Sequence, residues 1–209
     1  MQRAITPTHT PTGPQPGDHD YTVTGVPNKK LGMWAFLGSE CLFFGALISS
    51  YLLYRSRAPE GVPTPSEVYD IPYTSVSSFV LLMSSMTMVL ALAAMQKGDQ
   101  RRTRVWLLAT ALLGLLFVGG QVYEFTAFTH EGVNLSSSVA ASSFFVLTGF
   151  HGVHVTVGIL WLLSLVGISM RGQLPKERTL DIEVAGLYWH FVDVVWIFIF
   201  TVVYLVPNR

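Results

Sequence analysis

Within long apolar stretches of this chain stand a few side chains able to bind a metal or move a proton: Glu40, His151, His154, His190 and Asp193. His-x-x-His at 151 and 154 and His-x-x-Asp at 190 and 193 offer imidazoles and a carboxylate at close to one-turn spacing, a donor set that suits metal or haem ligation. The same groups suit hydrogen bonds that hold membrane helices in register. Spacing favours that second reading, because bulky Trp189, Phe191 and Trp196 crowd His190 where a porphyrin needs room. Glu40, among Phe36, Phe43, Phe44 and Leu47, reads either as a protonatable site or histidine partner, or as a neutral acid with one local hydrogen bond.

The elements that carry these residues are set by composition and length. Half of the 209 residues are hydrophobic and 12% are charged, the profile of a membrane protein. A helix needs about 20 mostly apolar residues to cross the hydrocarbon core with its backbone groups satisfied internally. Five stretches qualify, at about 31–54, 73–96, 105–128, 138–170 and 182–206. The expected fold is therefore all-α, a polytopic bundle of five transmembrane helices over residues 31–209. Residues 1–30, rich in Pro, Thr and Gly, read as a polar mobile tail in which His9 and His19 are solvated. The four prolines of "RSRAPEGVPTPSEVYDIP" suit a stiffened connection outside the membrane.

Depth and phase then group the polar residues. At about 1.5 Å of rise per residue, Glu40, His151, His154, His190 and Asp193 fall near mid-membrane and can share one layer. Gln121 and Glu124 come late in the third span, at the external interface, where burial costs little. At about 100° per residue, Glu183, Gly186, His190, Asp193, Ile197, Thr201 and Tyr204 form one stripe of the last span, expected to face protein. Phe191, Val195, Phe198 and Val202 lie opposite. Gly158 projects between His151 and His154 and permits close approach by another helix.

Charge decides orientation and excludes several classes. Lys29, Lys30, Lys97, Arg101, Arg102, Arg104, Arg171, Lys176 and Arg178 gather on one side, against Arg55, Arg57 and Arg209 on the other. Basic loops stay inside, so the N-terminus is expected in the cytoplasm and the C-terminus outside. A net charge of zero gives no basic excess for nucleic acid. One cysteine, Cys41, excludes an intrachain disulfide or a thiolate cluster made by this chain alone. The chain shows no repeat symmetry of the kind common in transporters, which weakens a proton-coupled transporter as an alternative.

Four stretches carry a family resemblance: "GMWAFLGSECLFFGALISSYLLY" with Glu40, "LLGLLFVGGQVYEF" with Gln121 and Glu124, "FFVLTGFHGVHVTVG" with His151 and His154, and "YWHFVDVVWIFIFTVVYLV" with His190 and Asp193. In this order the chain resembles subunit III of the haem-copper oxidases. The resemblance implies a subunit of a proton-pumping terminal oxidase of aerobic respiration with no catalytic, cofactor or metal residues of its own. The haems and copper reside in partner subunits I and II, small subunits can join them, and structural phospholipid is held by this subunit, which supports proton uptake. Glu40, His151, His154, Glu183, His190 and Asp193 become intramembrane structural residues, and Gln121 and Glu124 interfacial ones. A bacterial cytoplasmic membrane is the implied location. Many members have seven spans whose two leading helices form a lipid cleft; this chain resembles the five-span form, in which that cleft is incomplete or completed by a partner. Cytochrome c is favoured as electron donor over quinol, because "LGSE" carries Glu where the quinol branch tends to Asp. Shared depth further suggests that Glu40 contacts His154.

Overall fold

The computed structural model describes residues 25–57, 71–133 and 135–206. The leading tail as far as residue 24, with His9 and His19, most of the proline-rich connection, and Arg209 lie outside the described residues. Five long helices run antiparallel in chain order: α1 (Asn28–Arg55), α2 (Ile71–Gln96), α3 (Gln100–His130), α4 (Val139–Met170) and α5 (Thr179–Phe200). A short 3-10 turn, Lys176–Arg178, leads into α5, and a π turn, Thr201–Leu205, extends it. All five are long and apolar enough to cross a membrane. The third begins at Gln100, five residues before the expected start, because Asp99 caps it by accepting from the Arg102 amide at 3.0 Å.

Tight turns set the ends. After α2 the chain reverses within Lys97, Gly98 and Asp99, with Gly98 at φ +78°, a conformation that costs a residue with a Cβ but not glycine. The Gly98 amide donates to Met95 and the Asp99 amide to Ala94, closing the last carbonyls of the helix. Ser138 caps α4 through its hydroxyl, which accepts from the Ala141 amide.

At the basic end, α1 is tied to α5 by Lys29 Nζ–Asp181 at 2.9 Å and Lys30 Nζ–Glu183 at 2.5 Å. Gln100 Nε2 donates to the Leu174 carbonyl across the same end. At the other end the Arg55 guanidinium donates to the carbonyls of Val202 and Val206, a cation on groups that a helix C-terminus leaves unpaired.

Burial makes α5 the hub. Half of its span is buried, against 6% for α1, which packs on α4 and α5 at the periphery. Lipid is as apolar as leucine, so helices associate through small residues and polar bonds rather than hydrophobic contrast. The indole of Trp189 shows how. A Cβ added at Gly114 of α3 would come within 2.7 Å of its Cη2, and one at Gly158 of α4 within 2.8 Å of its Cζ3. Both positions must be glycine for the ring to enter. Its Nε1 donates to Ser84 Oγ of α2 at 2.8 Å, and one heptad on, Trp196 Nε1 donates to Ser78 Oγ at 2.8 Å.

The expected stripe on the last span needs correction at Ile197 and Thr201, although Asp193 before them and Tyr204 after them are buried. Ile197 is 45% exposed and Thr201 is also outward, whereas Val195 is buried. The buried arc of α5 centres on Trp189 and Trp196, since α1, α2 and α4 all pack on this helix. His190 and Asp193 stand at the edge of that arc.

Candidate functional site

The five residues expected in one layer divide between two seams and an aromatic cage. At the α1–α4 seam, His154 Nε2 lies 3.3 Å from Glu40 Oε2. The other ring nitrogen, Nδ1, is 2.7 Å from the Phe150 carbonyl. A carbonyl only accepts, so Nδ1 carries a proton and the tautomer is fixed. One further proton then serves the Glu40–His154 contact, held either by the acid or by Nε2. Phe43 and Phe44 edge the imidazole, with ring centroids 6.3 and 5.0 Å away, and the Tyr188 hydroxyl donates to the His154 carbonyl.

At the α2–α5 seam, Ser85 stands between His190 and Asp193. Its hydroxyl donates to Asp193 Oδ2, and its oxygen is 2.9 Å from His190 Nδ1. A hydroxyl has one proton, so with that proton given to Asp193 the His190 Nδ1–H donates to the serine oxygen. The chain of bonds runs His190 to Ser85 to Asp193. Asp193 Oδ1 is buried with no hydrogen-bond partner among the described residues.

His151 belongs to neither seam. It is 0% exposed, stacks on Trp196 at 5.0 Å and meets Phe117 and Phe44 edge-on at 5.9 and 6.4 Å. Neither ring nitrogen has a hydrogen-bond partner among the described residues. The three intramembrane histidines thus face three different sets of neighbours. Among the described residues no three His, Cys, Asp or Glu side chains gather as a metal site would require.

Three other expected positions differ in detail. Glu183 lies at the basic end, on Lys30, rather than with the mid-span groups. Gln121 and Glu124 are each 6% exposed, so burial there is not slight: helices α2 and α4 close over them. Glu124 Oε1 accepts from Thr74 Oγ1 at 2.7 Å, and Gln121 rests against Gly152 of α4. Helix α2 supplies partners that the reading of ionisable residues missed: Thr74, Ser78, Ser84 and Ser85. A signal for three of the four was available, because Thr74, Ser78 and Ser85 follow a four-three spacing with Leu81 and Met88 along an apolar span.

The motifs that carry the resemblance are those that build these seams, and comparison with known proteins agrees. Residues 11–207 match the family described as Cytochrome c oxidase subunit III. The chain is 42% identical to the probable quinol oxidase subunit 3 of Staphylococcus saprophyticus, over 85% of its own length and 88% of the relative's. It is 40% identical to the cytochrome c oxidase subunit 3 of Bacillus sp. strain PS3, over 93% of each chain. Against the quinol oxidase subunit 3 of Bacillus subtilis it is 43% identical, over 84% and 85%. A family match over nearly the whole chain, with relatives at this identity, places the protein in the cytochrome c oxidase subunit III family of haem-copper oxidase subunits.

Proposed function

We propose that this chain is the accessory, non-redox third subunit of a proton-pumping cytochrome c oxidase, seated in a bacterial cytoplasmic membrane beside catalytic subunits I and II. The observation that carries the proposal is the family match along residues 11–207. The seams support the structural role: Glu40, His154, His190 and Asp193 each meet a partner from another helix, which is how polar groups lock a membrane bundle. The haems and copper belong to the partner subunits in this reading, and phospholipid fills the space beside peripheral α1, completed by a neighbouring subunit. The basic end faces the cytoplasm, in line with the positive-inside rule.

Quinol as donor is the second reading, favoured by relatives that carry that name. Purification in mild detergent tests both. The expected result is co-purification with a haem-bearing catalytic subunit that reduced cytochrome c can reduce; reduction by quinol alone selects the second reading. A solitary chain with a haem absorbance of its own overturns both. Orientation is checked by cysteines placed singly at Thr6 and Asn208 in a Cys41→Ser background, since Cys41 is itself exposed. Labelling of the Thr6 position from outside intact cells reverses the topology.

A further inference from the structure

Where α2 turns into α3, at the basic end, the two helices frame an open groove of about 860 Å³. Lys97, Arg101 and Arg102 stand at its mouth, and Leu90, Ala93 and Val105 form its wall. We propose that this groove binds one anionic phospholipid, with the phosphate at the cationic mouth and an acyl chain along the apolar wall.

Charge and depth carry the assignment together. The one acid at the mouth, Asp99, is occupied: it caps α3 and pairs with Arg102 Nε at 3.3 Å. Lys97 and Arg101 make no ion pair among the described residues, so two cations face the groove uncompensated. From Lys97 to Leu90 is seven residues of helix, about 10 Å along the membrane normal. The groove is therefore polar at the headgroup level and apolar one to two turns deeper, the profile of a phospholipid rather than of a free anion. Trp106, also on the lining, places an indole at that level, where tryptophan favours the membrane interface. A second groove at the opposite end, about 220 Å³ between α1 and α4, is lined by residues such as Leu47, Tyr54 and Val146 and has no cation in its lining. Of these two grooves, the one at the α2–α3 turn alone offers cations to an anion.

This site rests on the membrane-spanning reading and is independent of the electron donor. The test uses the oxidase complex reconstituted in phosphatidylcholine vesicles carrying trace spin-labelled phosphatidylglycerol or spin-labelled phosphatidylcholine. The expected result is a motionally restricted fraction that favours phosphatidylglycerol. Lys97→Gln with Arg101→Gln lowers that preference by about twenty-fivefold, given about fivefold for each cation near an anionic lipid. Lys29→Gln with Arg171→Gln, the same charge change at the same end but outside the groove lining, leaves it intact. Ala93→Leu, which fills the wall and keeps both cations, also reduces retention. Three results overturn the site: equal loss in the Lys29 and Arg171 variant, which makes the effect one of general surface charge; displacement by excess inorganic phosphate, which makes it a free-anion site; or retention unchanged by Ala93→Leu. Co-purification of the catalytic subunits is scored in the same preparations, so loss of lipid preference in an intact complex bears on the groove alone.

Discussion

The two polar seams use similar side chains in different mechanical settings. Glu40–His154 joins peripheral α1 to α4 through one contact, and each side chain keeps about one-sixth of its surface exposed. Ser85, His190 and Asp193 join α2 to the hub helix, one residue along from the Trp189–Ser84 bond and the slot between Gly114 and Gly158. The first seam is a local clasp on a helix held elsewhere by its ends, through Lys29, Lys30 and Arg55. The second is part of a packed layer in which tryptophan size, glycine absence of size and serine bonds depend on one another. Polar groups at equal depth in one membrane protein therefore need not be equally replaceable.

The largest effect is expected in the slot beside the second seam. Trp189→Ala empties the centre of the bundle and leaves Ser84 without its indole partner, costing about 3–5 kcal/mol; Gly158→Leu should fail similarly by overlap with the ring. Thermal stability of the detergent-solubilised chain, followed by size-exclusion profile, checks both, and a Gly158→Leu protein with unchanged stability would refute the close approach. Next comes Ser85→Ala, which strips the bridge from His190 and Asp193 and leaves a buried carboxyl unpartnered, at about 1–3 kcal/mol. Asp193→Leu in the Ser85→Ala background is expected to recover part of that loss.

The first seam should respond more mildly. Glu40→Gln and His154→Gln each cost about 1 kcal/mol, and the double replacement costs less than their sum by about 0.5–1 kcal/mol. Strict additivity in that cycle would break the clasp. The smallest effect belongs to the exposed ties: Lys29→Gln changes stability by less than about 0.5 kcal/mol. A larger loss there than at Ser85 would reverse the ranking of the two regions.

How much of this was legible in the sequence depended on what each signal measures. Hydropathy marks where a chain lies in lipid, so five spans and the basic end could be read to within a few residues. Hydropathy does not mark which face of a span meets protein, because lipid and protein interior are equally apolar. The stripe through Ile197 and Thr201 failed for that reason: it followed the polar residues of α5, while the buried arc followed its two tryptophans. The hydroxyls of α2 escaped notice because serine and threonine in an apolar span are cheap alone; they acquire meaning when Trp189, Trp196 and His190 arrive on them from residues more than a hundred positions away.

By itself the sequence determined the membrane, the number of crossings, the end that gathers cations and, through four motifs, the family. Those are one-dimensional properties: length, hydropathy, charge order and local identity. Shared depth already pointed Glu40 to His154, and the structure bears that contact out; only the tertiary structure decided that His190 and Asp193 share Ser85, and that His151 is packed among aromatic rings without either. Pairing across helices is fixed by rotation and tilt, and these follow from where Gly114 and Gly158 let Trp189 enter, a condition set jointly by three helices that no single span contains.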